Sequence, residues 1–263
     1  MKIDNYERAN MAYWTKRASG YCEVNREELG SSQHDVWQRL LTECISERFP
    51  GKEPKDIKVL DVGTGPGFFA IILAEAGFDV TAVDYTESML ENARMNAGAL
   101  CDNIRFMRMN AEELRFADAS FDVLVSRNLT WNLPSPERAY AQWSRVLRDG
   151  GLLLNFDANW YNYLCDADAA SAKTRDRMSI AASDVRDETA GTDVDAMEAI
   201  ARLSPLSAIR RPLWDINTLR ANGIFAEADT DIWKRVWTRE ERINNASTPM
   251  FMVAGRKEMS RNA

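Results

Sequence analysis

The chain has 263 residues, 45% of them hydrophobic, and a formal net charge of −7. That is one large domain, or one domain with an insertion, with enough apolar material to fill a core. An acidic chain without a basic block argues against nucleic acid as a partner, because neutralising phosphates needs clustered Lys and Arg. The pair Arg210–Arg211 reads as a solvated surface pair. The four cysteines, Cys22, Cys44, Cys101 and Cys165, are scattered without a C-x-x-C spacing. This leaves zinc and redox motifs unsupported, so no metal is expected, and it fits reduced thiols in a cytoplasmic protein. The N-terminus MKIDNYERANMAYW lacks the apolar stretch of a signal peptide. No window approaches eighteen apolar residues, so no membrane span is expected.

The first 50 residues read as helical, with an aromatic cluster at Tyr6, Tyr13, Trp14 and Tyr21. From Lys58 strands and helices alternate. KVLDV is a strand, FFAIILAEAG a helix stopped by Gly77, DVTAVD a strand, and TESMLENARMNA a helix with Thr86 as candidate N-cap. IRFMRM and FDVLVS are further strands. PERAYAQWSRVLRDGG reads as a helix ending at Gly150–Gly151, followed by the strand GLLLNFD. Such alternation predicts βαβ units, a parallel sheet and right-handed crossovers. Residues 158–207 break the rhythm and read as a helical insertion. A helix DINTLRANGIF ending at Gly223 and two late strands, EADTDIWKRVWT and TPMFMVAGRK, complete the chain. The expected parts are a helical lid (1–50), an α/β core (51–157 and 208–263) and a helical cap (158–207).

The most informative stretch is VLDVGTGPGFF, Val59–Phe69. Gly63, Gly65 and Gly67 sit between a strand and a helix. Glycine there permits positive φ and lets a ligand lie against the backbone, and the helix N-terminus offers free N–H groups. Asp84 ends the next strand, where an acid can accept hydrogen bonds from a ribose. A dinucleotide site wants G-x-G-x-x-G. Here the last position of that pattern is Phe68, which disfavours an NAD-dependent oxidoreductase.

The motif DVGTGPGF resembles motif I of the class I S-adenosylmethionine-dependent methyltransferases. VTAVDYTESMLENAR, MNAEELRFADASFDVLVSRN and RVLRDGGLLLNFD resemble the motifs that follow it in that family, and YWTKRASGY resembles the opening of its ubiquinone and menaquinone biosynthesis branch. The resemblance covers Lys58 to Asp157 closely. It implies an α/β fold with a Rossmann-like, seven-stranded, mostly parallel sheet and helices on both faces. It also implies S-adenosyl-L-methionine as cofactor and methyl transfer to a small-molecule acceptor. A chain that binds the cofactor without catalysis is the alternative.

Carried over by position, Asp61, Gly63, Gly65 and Gly67 would line the methionine part of the cofactor. Asp84 would hold the ribose and Tyr85 would flank the adenine. Ala111 would offer its backbone N–H to the adenine. The residue before it, usually Asp in the family, is Asn110, whose amide oxygen can accept the same bond without charge. Glu112 is adjacent, and Trp14 and Tyr21 could close a lid.

The stretch SRNLTWNLP ends a strand where sites of open α/β sheets lie. Arg127 and Asn128 are candidates for the cofactor's methionine end, and Trp131 and Asn132 for the acceptor. At the end of the next strand Asn159, Trp160 and Tyr161 are further acceptor candidates. The single histidine, His34, and Asp157 are candidate bases. The acceptor atom and the oligomeric state are not legible.

Overall fold

The computed structural model describes residues 3–259. The expected lid (1–50) and last core segment (208–263) thus each run slightly past the described residues. Two helices come first, α1 (Ile3–Leu29) and α2 (Ser32–Arg48). Then β1 (Lys58–Val62), α3 (Phe68–Glu75), β2 (Asp79–Asp84), α4 (Glu87–Ala97) and β3 (Ile104–Arg108) alternate. β4 (Phe121–Arg127), α5 (Pro136–Val146) and β5 (Leu147–Asp157) follow. α6 (Ala167–Ala181) and α7 (Val194–Ala201) fill the inserted segment. α8 (Leu213–Ala221), β6 (Ile224–Asp229), α9 (Trp233–Val236), α10 (Arg239–Asn244) and β7 (Phe251–Lys257) close the described chain.

The strands form one seven-stranded sheet in the order β3-β2-β1-β4-β5-β7-β6. β1 to β5 run parallel, and β7 is antiparallel to both β5 and β6. This is the expected Rossmann-like sheet. Side chains alternate across it with period two. Val59, Val123, Val125 and Leu154 pack with α2 and α3 on one face, while Leu60, Leu124 and Leu153 pack with Tyr140 and Trp143 of α5 on the other. Both faces are covered, so the central strands read as continuous apolar runs rather than alternating ones. α3 is sandwiched between the sheet and α2, and every residue of it except Glu75 is buried. The order reverses at β1, whose neighbours are β2 and β4. That is the switch point where the carboxyl ends of an open sheet leave a crevice.

Three elements differ from expectation. The helix before β5 stops at Val146, not Gly150, because Leu147 already pairs with Phe121 and an irregularity around Gly150 (φ 70°) brings the chain back into register at Leu152. The sixth strand is IFAEAD, and IWKRVW turns into α9 instead of extending. Its apolar residues have no strand period, and Ile232, Val236 and Trp237 are buried against the α2–α3 layer. Thr86 is the N-cap of α4, but its hydroxyl donates to Asp84 and caps nothing.

Candidate functional site

The loop between β1 and α3 is held by backbone bonds to β2. The N–H groups of Gly63 and Thr64 both donate to the Val83 carbonyl, at 2.9 and 3.0 Å. Gly63, Gly65 and Gly67 have φ of 73°, 54° and 96°, the left-handed region that only glycine adopts freely. A Cβ on Gly63 would stand 2.7 Å from the Leu129 side chain. Asp84, at the end of β2, completes the loop. One carboxylate oxygen accepts the Gly65 N–H at 3.0 Å, and the other accepts the Thr86 N–H and hydroxyl, both at 2.9 Å. Burial pushes its carboxyl above the usual range, against these donors.

The loop opens onto a cleft with about 930 Å³ of space, part of it open to solvent. Gly63, Gly65, Asp84, Tyr85, Asn110, Ala111, Arg127 and Asn128 all line it. Trp14 and Tyr21 line it from α1, so the first helix lies across the cleft. Met89, Met109 and Leu133 add apolar wall. The glycine turn lets a ligand lie against the backbone, and the Asp84 carboxylate and the Asn128 side-chain oxygen, the latter without a partner, are acceptors that suit a nucleoside with an amino-acid tail.

Three candidates sit behind the cleft instead of in it. Asp61 is buried under the loop and accepts the Thr64 hydroxyl at 2.6 Å. Burial raises its carboxyl to about 7. Gly67 packs against Ala93 of α4. Glu112 is 2% exposed and accepts the Ser135 N–H at 2.6 Å. Their work is to shape the loops. Arg127 lines the cleft, but its guanidinium pairs with Glu28 of α1 at 2.8 Å and lies over the rings of Trp37, Phe68 and Phe69. Burial opposes its charge, and the Glu28 carboxylate outweighs that and raises its pKa.

Most residues expected at the acceptor lie in a separate, packed cluster. Trp131 lies against Tyr161, with ring centroids 4.9 Å apart, and both pack with Tyr6 and with Met197 and Ile200 of α7. Asn132 lines the cleft, yet its amide is bound to α1. The amide donates to Asn10 at 3.0 Å and accepts the Tyr6 hydroxyl at 3.2 Å, while the Asn132 backbone carbonyl accepts from the Asn10 amide and the Tyr6 hydroxyl at 3.1 and 3.0 Å. Asn159 pairs with both backbone groups of Arg211, at 3.1 Å each. The Trp160 indole donates to Asp157 at 3.1 Å. Of the acceptor candidates, only Asn132 reaches the cleft.

Neither candidate base survives as one. Asp157 is fully buried, and both its oxygens are saturated. They accept from the backbone of Ala158 and Trp131, the Trp160 indole and the Arg211 guanidinium, the last at 2.7 Å. Arg211 in turn pairs with Asp215, which also receives the Tyr140 hydroxyl. Arg211 is therefore no surface residue, and it is enclosed by two carboxylates. Burial opposes its charge, but those carboxylates prevail and hold its pKa well above the usual value. His34 lies at the start of α2 in a shallow depression away from the cleft, with Nε2 2.5 Å from Glu75 and Nδ1 2.8 Å from Asp35. Being the only histidine was its sole claim.

Sequence reasoning missed the α1 residues Glu7, Asn10 and Met11 in the cleft wall, and the network of Arg211, Asp215, Tyr140 and Asn155. No local signal marks either, since both depend on tertiary approach.

Residues 60–155 match the family model for a methyltransferase domain. The ubiquinone/menaquinone biosynthesis C-methyltransferase UbiE of a Bradyrhizobium strain is 35% identical to the chain over 131 residues, covering 48% of the chain and 51% of the relative. The chain thus spans about half the length of the curated relatives it matches. A Haloferax volcanii methyltransferase, solved in complex with the Trm112 methyltransferase activator, has the same fold. It superposes with a TM-score of 0.60 at 16% identity, over 94% of this chain and 98% of that one. The [4+2]-cyclase SpnF shares the fold too, with a TM-score of 0.52 and 18% identity over 85% and 82% of the two chains. No helix among the described residues is long and apolar enough to cross a membrane, and no group of three or more His, Cys, Asp or Glu among them could hold a metal ion.

Proposed function

We propose that the chain is an S-adenosylmethionine-dependent methyltransferase acting on a small molecule. The observation that carries this is the cleft in which Gly63, Gly65 and Asp84 converge at the switch point of a methyltransferase-domain sheet. When bound, the cofactor supplies an electrophilic methyl group on a sulfonium, and the protein supplies position and surroundings.

Asp84 has a free acceptor position on the oxygen that holds Gly65 and would take the ribose hydroxyls. The apolar wall at Met89, Met109 and Leu133 would take the base, with Tyr85 flanking it. The Asn128 side-chain oxygen, which has no partner among the described residues, would face the amino-acid tail. Arg127, already paired, contributes by fixing Glu28 and hence the end of α1 over the cleft. α1 excludes water, which favours a step in which positive charge on sulfur disappears. Alignment of the two reactants is worth about 7–11 kcal/mol in favourable cases.

Asp157 is saturated and His34 is remote, so neither is placed to take a proton from the acceptor; of the carboxylates, Glu7 of α1 lines the cleft beside Asp84. Helix α7 acts as a cap over the aromatic cluster at Trp131 and Tyr161, through Met197 and Ile200. The absence of a basic block supports a small acceptor over nucleic acid. Free cysteines support a cytoplasmic setting.

Thermal unfolding with S-adenosylmethionine, S-adenosylhomocysteine and NAD in parallel tests the cofactor. A ligand at 100 times its Kd adds about 2.7 kcal/mol. A shift with both adenosyl compounds and none with NAD is expected, and a shift with NAD alone would overturn the assignment. Label transfer from methyl-labelled cofactor to an acceptor panel then separates catalysis from binding alone.

A further inference from the structure

α1 is one continuous helix, but its two ends are fastened to different parts of the molecule. The C-terminal end is tied to the core. Arg26 donates to Asn96 of α4 at 2.9 Å, and Glu28 pairs with Arg127 of β4 at 2.8 Å. The N-terminal end rests on the loop after β4 and on α7. The Tyr6 hydroxyl donates to the Asn132 carbonyl at 3.0 Å, and Asn10 exchanges bonds with Asn132 at 3.0 and 3.1 Å. Tyr6, Tyr13 and Trp14 pack in the aromatic cluster around Trp131. All the α1 residues in the cleft wall except Tyr21 come from this end, so this end is the cover.

Gly20 stands between the two ends, directly after Ser19. Glycine inside a helix weakens it relative to alanine. Packing does not ask for glycine here. Its backbone is not left-handed, and a Cβ would meet only the tip of the Arg17 side chain, which can swing aside. Glycine and serine together are a common place for a helix to bend. At the same level Asn92 of α4 donates to the Ala18 carbonyl at 3.1 Å and pins the pivot. We infer that α1 is a jointed lid: the segment from Tyr6 to Arg17 lifts about Ser19–Gly20 to let the cofactor pass, and Tyr6 and Asn10 are positioning residues that latch it on Asn132. The inference rests on the cofactor reading above and concerns how that site opens. The latch bonds join two parts of the protein and do not touch ligand. Loosening them therefore speeds entry and release alike, whereas loss of a ligand contact changes affinity.

The test has two arms on the full chain. The first is stopped-flow binding of S-adenosylhomocysteine. Tyr6→Phe keeps the buried ring and is expected to raise the association and dissociation rates together by about fivefold, the size of one hydrogen bond. Gly20→Ala is expected to lower both by about fivefold, the difference in helix preference between the two residues. Because the rates move together, Kd should stay within about twofold in each variant. The second arm is hydrogen exchange of the ligand-free chain. Once lifted, so short a segment does not hold a helix alone. Amides from Tyr6 to Arg17 are expected to exchange about tenfold faster than those from Tyr21 to Leu29, and Tyr6→Phe should speed the first set only. Rates unmoved by either substitution, a Kd changed through release alone, or exchange that rises along the whole of α1 would overturn the inference and leave the cofactor reading intact. No binding of S-adenosylhomocysteine to wild type would overturn the cofactor reading and this inference with it.

Discussion

The two halves of the site are built on opposite principles. The cofactor half is open and assembled from backbone. Two left-handed glycines, Gly63 and Gly65, and one carboxylate, Asp84, line a cleft whose polar groups are only partly used within the protein. The acceptor half is closed and assembled from side chains. Trp131 and Tyr161 stack, and beneath them Asp157, Arg211, Asp215 and Tyr140 leave no polar atom of the ion pairs without a partner. A half with spare hydrogen-bonding capacity binds ligand. A half whose groups are mutually satisfied holds shape. Candidate residues of the same chemical type therefore differ in setting: Asp84 lines the cleft, while Asp157 ties the end of β5 to the turn before α8 through Arg211.

The largest effect that separates the halves is expected at Arg211. Arg211→Met strands two buried carboxylates and should cost about 3–5 kcal/mol in denaturant unfolding, since breaking a buried pair leaves uncompensated charge. A loss below 1 kcal/mol would mean the network is not the clamp described. Next comes Asp61, whose folded pKa of about 7 lies above its unfolded value. A carboxyl raised in this way is bound to more protons in the folded state. Stability should therefore fall by a few kcal/mol between about pH 4 and pH 7 and level off above that. Asp61→Asn keeps an acceptor for Thr64 and should remove this part of the slope. An identical pH profile in both proteins would contradict the burial argument.

Asp84→Asn sharpens the contrast from the other side. An amide cannot accept from Gly65 on one end and from Thr86 on the other, so affinity for S-adenosylhomocysteine should drop about tenfold to a hundredfold. The same substitution should lower the folding stability far less than Arg211→Met. The smallest effect belongs to neither half. His34→Ala removes contacts to Glu75 and Asp35 at the surface. It should cost under about 1 kcal/mol and leave methyl transfer unchanged. A large loss of turnover would return His34 to the chemistry.

The cofactor half was legible in the sequence because its determinants are local. The spacing from Gly63 to Asp84 is set by one βαβ unit, and each glycine is needed where it stands. The acceptor half was not. Asp157 and Arg211 are separated by the whole insertion, and nothing near Arg211 distinguishes it from Arg210, which is exposed. Asn132 was read as an acceptor contact because its position on the loop was right. Its partners, Tyr6 and Asn10, lie on a helix whose approach no local pattern encodes. The strand expected across Ile232–Trp237 failed for a related reason: tertiary burial on one layer, not period, governs those residues.

The most direct test of the central claim is a crystal structure of the chain grown with S-adenosylhomocysteine. The account predicts the ribose hydroxyls on the Asp84 carboxylate, the base between Tyr85 and Leu133, and α1 still in place over the ligand. Ligand bound away from Asp84, or none bound at saturating concentration, would contradict it.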